Sequence, residues 1–391
     1  SGDASQDYLG DGLSENIIAV LATSPDLFVI ARNSSFTYKG KAVKVQEVAE
    51  QLGVRYVLEG SVQKSGEKLR VTAQLVDAVD GKHIWAERYD RKLDDLFAMQ
   101  DEITNKIFYE MHVKLTIGER AHDWQKHFGD PEGMRLHMKG FDRFLTFTLD
   151  GHHDAERIYG ELYKKNPEGG MGNLDMGWIH WQKIVMGLTN DPKQSIKLGR
   201  EFGEKAHAIM GDGGSLTLLA WFDLFEQDFE SAIENARRAT EISPSDGNTA
   251  AIAGTVYRNS GKSEESAILL KRAMRLQPYH PKWYAWQLGI SLLVLEKYDE
   301  AEEIFEAVLK SDTEIVSDKY AALAGLAVIS VFRQNLENAE KYASQLTELV
   351  VYGKKFNISV LAPIFGLMKE QEFAKRFLDA LRQLGVPDKS E

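Results

Sequence analysis

The chain has no cysteine in its 391 residues. That excludes disulfides, thiolate nucleophiles and cysteine-ligated zinc. It leaves the compartment open, because cytosolic and periplasmic proteins alike can lack cysteine. No run of 18 or more apolar residues occurs, so nothing in the sequence reads as a bilayer-spanning helix. Positive charge is also short. Against 59 Asp and Glu stand 47 Lys and Arg, a net charge of −12. Nucleic-acid backbones demand clustered cations, and no basic stripe is present, which argues against nucleic acid as a partner. The acidic surplus reads as solvated surface. Signatures of catalysis are missing too: there is no Gly-x-Ser-x-Gly, no Walker lysine, no defensible Ser/His/Asp set and no HExxH spacing. Leu9-Gly10-Asp11-Gly12 puts a Gly-x-Gly ahead of a helix, where phosphate could bind, but it lacks a third glycine and a preceding strand. His152-His153-Asp154, joined by His122 and His127, is the one candidate metal group. Adjacent residues point apart, so surface histidines are the competing reading. No cofactor or metal is expected.

What is present is a repeat. Tyr298-Asp299-Glu300-Ala301 opens a helix whose small residue Ala301 meets a neighbour closely, with Phe305 and Val308 on the same face. The same cadence places small residues at 232, 266, 301, 339 and 374, steps of 34, 35, 38 and 35. A period near 34 with a small–large–small face marks stacked helical hairpins. Gly254, Tyr257, Ser266, Ala273 and Pro278 sit on positions of the tetratricopeptide pattern. The hairpins are expected at 133–148 with 152–166, 171–187 with 191–210, 214–227 with 229–243, a fourth ending near Pro278, a fifth around Leu288 and Ala301, a sixth over 316–350 and a seventh over 355–385.

The first third reads differently. Helices are expected over 7–24, 43–52 and 93–116. Leu27 to Ala31 is a continuous apolar run, as in a buried strand. Strands are expected from Tyr56, over 69–75, where apolar and polar residues alternate, and over 83–89. The fold class is therefore α+β: a small α/β domain over 1–116, a linker over 117–132, and an all-α superhelix of about seven hairpins over 133–387.

Three runs in the first domain point to a family. They are Phe28-Val29-Ile30-Ala31-Arg32-Asn33-Ser34-Ser35-Phe36-Thr37-Tyr38-Lys39-Gly40-Lys41, Leu52-Gly53-Val54-Arg55-Tyr56-Val57-Leu58-Glu59-Gly60-Ser61-Val62, and Trp85-Ala86-Glu87-Arg88-Tyr89-Asp90-Arg91. Together they closely resemble the TolB amino-terminal-like domain. Bacteria attach that domain to tetratricopeptide (TPR) repeats, at the carboxyl end of class III adenylate/guanylate cyclases and behind winged-helix domains of membrane-bound transcription regulators. The resemblance implies a sensory or signalling role for the helical half. The family's domain normally begins with a strand ending in a Leu-Pro-Phe-like segment, which this chain lacks before Ser1. The sheet is then expected to have an open edge that another chain or loop can fill, including a second copy in a homodimer. The chain is accordingly expected to be a piece of a longer protein, periplasmic if a membrane helix precedes it and cytoplasmic otherwise.

With the small residue at repeat position 20, Trp283, Trp286 and Ile290 take positions 2, 5 and 9 of their hairpin, toward a concave groove. Trp221 faces the groove from the third hairpin, and Trp178 and Trp181 lie on the first helix of the second. Aromatic anchors in a groove suit peptide recognition, and packing between helices is the alternative. Of the residues that could clamp a carboxylate, only Asn248 and Arg258 are placed for it. The function expected is a non-catalytic interaction or sensory module that binds a protein or peptide. The alternatives are the regulatory part of a class III cyclase whose catalytic domain lies outside this chain, since no metal-binding aspartates of a cyclase are recognisable here, or an envelope assembly factor by analogy with TolB, whose propeller is absent.

Overall fold

Cross-strand chemistry organises the amino-terminal third. The computed structural model describes residues 7–22, 27–78, 81–110, 127–128, 131–277, 280–311 and 313–389. Strands β1 (Tyr56–Ser65), β2 (Lys68–Asp77) and β3 (Lys82–Lys92) form one antiparallel sheet in the order β1-β2-β3. Period-two alternation sorts its faces. Leu69, Val71, Ala73 and Leu75 of β2 turn inward with Trp85 and Tyr89 of β3. Helix α1 (Asp7–Leu21) covers that face with Leu9, Leu13 and Ile17, and a carboxyl-terminal helix of this unit, Leu96–Glu110, adds Leu96, Met99 and Ile103. The outer face carries polar partners: Arg70 pairs with Asp90, and Ser61 bonds Thr72 at 2.8 Å. Between α1 and β1 lie α2 (Arg32–Ser35) and α3 (Val45–Leu52), the latter closed by Gly53 in the left-handed region at φ 66°. We number the Leu96–Glu110 helix α4.

Two local expectations are corrected. Gly10 and Gly12 lie inside α1, so the Gly-x-Gly forms no loop ahead of a helix. Leu27–Ala31 is not a strand. It is an extended connector whose backbone bonds go to the helical array: Ala31 N–H donates to Leu276 O at 3.3 Å, and Ser245 Oγ donates to Leu27 O at 2.6 Å. A five-residue apolar run fits either state, and period alone cannot separate them.

The helical array follows. Its pairs are α5 (Pro131–Phe144) with α6 (Leu149–Lys165), α7 (Gly170–Val185) with α8 (Pro192–Met210), and α9 (Gly213–Phe225) with α10 (Phe229–Ile242). Then come α11 (Gly247–Asn259) with α12 (Ser263–Leu276), α13 (Lys282–Val294) with α14 (Tyr298–Lys310), and α15 (Val316–Phe332) with α16 (Leu336–Glu348). The protein is mostly helical, a TPR-like superhelix behind a small three-stranded sheet. Ala232, Ser266, Ala301, Ala339 and Ala374 are all buried, and each lets a neighbouring helix approach. Side-chain caps recur at the helix starts: Asp212, Asp228 and Asn335 each accept the N–H three residues on. The turn inside each hairpin repeats one feature. Gln227, Gly261, Glu296 and Gln334 all have φ between 57° and 79°, at the spacing of the small residues.

The seventh pair departs from the pattern. Where a first helix is expected, the chain forms a two-stranded ribbon, β4 (Val350–Val351) and β5 (Lys354–Lys355), then a 3-10 turn over Ile358–Val360 and a four-residue helix, α17 (Ala362–Phe365). Tyr352 and Gly353 both take positive φ, which suits a tight hairpin turn. Gly366 and the segment to Glu370 break the helix before α18 (Gln371–Gln383).

The two units meet along α1, which packs against α5. At that seam His137 Nδ1 lies 2.8 Å from Asp175 Oδ2, and Arg32 lies 3.3 Å from Glu15. Phe128, Phe141 and Tyr159 surround the His137 ring.

Candidate functional site

Which helices line the inside follows from who touches whom. First helices of successive hairpins pack on one another, α9 on α11 and α13 on α15, so they sit at the smaller radius. Their burial agrees. Most residues of α9, α11, α13 and α15 are buried, whereas α10, α14 and α16 bury a single stripe, such as Ala301, Phe305 and Val308.

Two aromatic zones lie on these inner helices. In the first, Trp178, Trp181 and Trp221 form a chain of edge-to-face contacts, each step 5.4 Å between centroids. Phe147 adds another edge to Trp181 at 6.0 Å. The Trp181 indole N–H is sealed from solvent and meets no acceptor among the described residues. Leu367, from the segment after α17, packs into this zone with Leu224 and Val256. The sequence offered no sign of that packing, because it joins residues about 110–190 positions apart.

The second zone belongs to α11, α13 and α15. Asn248 is exposed, and its side-chain oxygen accepts the Tyr284 hydroxyl. Trp283 stands edge-on to Tyr284 at 4.4 Å. Trp286 Nε1 donates to Asp318 Oδ1 at 3.1 Å, and Thr313 Oγ1 donates to the other oxygen at 2.9 Å. Burial pushes the Asp318 carboxyl above its usual range despite these two bonds. Trp283 and Trp286 are half-buried, the indole N–H of Trp286 taken by Asp318 and ring surface of both still reachable.

Three residues placed in the groove by register are not available there. Trp221 is 6% exposed, Ile290 5% and Arg258 1%. Arg258 is turned into the protein, where it donates to Gln287 and, at 3.3 Å, to Asn259. Burial lowers its pKa to about 9. A guanidinium so enclosed cannot clamp a ligand's carboxylate in this conformation. The reason is that α13 packs against α11 closely enough to cover it, which repeat position alone does not reveal. The histidine group also disperses. His152 is buried and bonds Gln182 at 2.8 Å, and His122 lies outside the described residues. Among the described residues no three metal-ligating side chains converge. No described helix is long and apolar enough to cross a membrane.

Comparison with known proteins agrees with this architecture. Residues 287–349 match the tetratricopeptide repeat family. Over 190 residues, 49% of this chain, it is 41% identical to the "putative adenylate cyclase 3" of Rhizobium meliloti. The matched part is 31% of that relative, so this chain spans well under half of it. Among solved structures, the chain is similar to pilF of Pseudomonas aeruginosa (13% identity, TM-score 0.39, 56% of this chain and 93% of that one). It is also similar to a thermophilic TPR protein of Thermus thermophilus (16% identity, TM-score 0.41, 49% and 97%). The family match thus falls within the helical array, over the fifth and sixth hairpins.

Proposed function

We propose that this chain is a non-catalytic interaction module that binds a protein or peptide on the inner face of its helical array. The observation that carries the reading is the second aromatic zone. Trp283 and Trp286 keep partly exposed rings near the exposed Asn248, on helices that are otherwise mostly buried. Amphipathic rings beside an amide give an extended ligand both stacking area and hydrogen bonds. Arg258, buried and bonded to Gln287, plays no direct part. The α/β unit, with its TolB-like runs, is a docking platform. Strand β1 pairs on one side only among the described residues, and we place pairing with a further strand, from a second copy or a loop, along its other edge. Changing Trp283 and Trp286 together to Ala is expected to weaken partner capture by at least ten-fold at a temperature where circular dichroism shows the helical array still folded. Unchanged capture with a large loss of stability would assign both rings to packing.

A second reading rests on the relative named as an adenylate cyclase. In it, this chain is a regulatory portion of a longer cyclase. Purified chain incubated with ATP and Mg2+ or Mn2+ is expected to form no cyclic nucleotide. Metal-dependent turnover would overturn the non-catalytic reading.

A further inference from the structure

A cleft of about 510 Å³ lies where the start of α18 meets the fifth and sixth hairpins. That is the size of a pocket for a small ligand or a large side chain. Leu293 and Val294, at the carboxyl-terminal end of α13, give it an apolar side. Tyr298, Phe332 and Phe373 give it aromatic ones, with Tyr298 and Phe332 tilted at 59° and 5.9 Å apart. All three rings are half-buried and keep surface open to solvent.

Charge is placed around the same cleft. Its two cations are already engaged. Arg376 lies 3.6 Å from Glu296, with its guanidinium 5.1 Å from the centre of the Phe332 ring, and the Lys369 ammonium stands 5.6 Å from the centre of the Phe229 ring. Glu370, which also lines the cleft, is left over. It precedes the first residue of α18 but makes no side-chain bond to that helix. Its Oε2 is sealed from solvent and meets no donor among the described residues. Burial, and after it the charge of Glu264, push the carboxyl above its usual range, and no cation pulls it back. A carboxylate half withdrawn from water without compensation is a standing cost, and a cation entering the cleft removes it. A metal ion is not suited, since no three ligating side chains converge among the described residues. A guanidinium is: its flat faces stack on aromatic rings and its edge pairs with a carboxylate. Arg376, set between Phe332 and Glu296, already makes that combination within the chain.

We infer that the cleft is a seat for an arginine side chain of a partner protein, its stem on the apolar side, its guanidinium against the aromatic rings and paired with Glu370. A basic partner suits a chain of net charge −12. The inference rests on the protein-binding reading above and adds a basic determinant at the opposite end of α13 from Trp283 and Trp286.

The probe is N-acetyl-arginine methylamide, titrated into the full chain while the amides of Gln371 and Phe373 are followed by NMR. Saturable shifts are expected. The citrulline analogue, which keeps the shape and loses the charge, is expected to bind at least ten-fold more weakly. Glu370→Gln is expected to weaken the arginine probe at least ten-fold and to leave the citrulline probe unchanged. Equal shifts from arginine and citrulline, no shifts from either, or full arginine binding by Glu370→Gln would overturn the inference. Tighter binding of free L-arginine than of the blocked probe would overturn it too, because the seat would then serve a small molecule. The chain with both Trp283 and Trp286 changed to Ala is expected to bind the arginine probe as the wild type does. Loss of the arginine signal in the wild type leaves the capture test on those two rings untouched, so the two claims fail separately.

Discussion

Phe305→Ala is expected to destabilise the helical array by about 3–5 kcal/mol, the usual cost of emptying a buried aromatic site. The ring is fully buried on α14 and is gripped from two sides. A Cβ built on Gly289 would lie 2.6 Å from it, and one on Gly325 would lie 2.5 Å from it. Both glycines belong to inner helices, α13 and α15. They are glycine because the ring occupies the space that a side chain would need. Phe305 is thus the wedge that sets the approach of two successive hairpins. Gly325→Leu attacks the same contact from the other side by overpacking, and is expected to cost at least as much. Urea denaturation followed by tryptophan fluorescence reads both. A loss below about 1 kcal/mol for Phe305→Ala would mean that the hairpins are held elsewhere.

The second large effect lies at the seam between the units. His137→Leu is expected to cost about 3 kcal/mol, because it leaves the Asp175 carboxyl, 4% exposed, without its partner. The double variant His137→Leu with Asp175→Leu is expected to recover much of that loss, since removing both members of a buried pair removes the stranded charge as well. The pair also predicts a pH dependence. Burial alone would lower the His137 pKa, but Asp175, by charge and hydrogen bond, and then Glu15 outweigh burial and leave it raised above 6.5, with Arg32 opposing. A histidine raised in the folded state contributes stability that is full below its unfolded value and is lost as pH climbs through the folded one. Wild-type stability is therefore expected to fall as pH rises above about 6.5, and His137→Leu to flatten that fall. A wild type that gains stability over this window would contradict the assignment.

Much of the array was legible because it is periodic. Small residues at 232, 266, 301 and 339 announced close helix contacts, and each is buried where a neighbouring helix passes. The sheet was legible from alternation in β2, where Leu69, Val71, Ala73 and Leu75 face one way. What escaped was set by distance in sequence or by chemistry without a period. The packing of Leu367 into the cluster of Trp221, Leu224 and Val256 joins distant parts of the array, and nothing local encodes it. Arg258 occupied a groove position by register, yet a neighbouring helix covers it. The Trp286–Asp318 bond needed two hairpins in register before either residue had meaning. Positive φ at Gln227, Glu296 and Gln334 was invisible for another reason: these residue types do not advertise the left-handed region as glycine does.

Site-specific photo-crosslinking tests the central claim, recognition on the inner face, most directly. A photoreactive residue is placed at Asn248, on the inner zone, and separately at Glu300, on the outer helix α14, in the full chain expressed in its native cells. The account predicts a discrete adduct from position 248 that is lost when Trp283 and Trp286 are changed to Ala, and none from position 300. Adducts from position 300 alone, or equally from both positions, would contradict it.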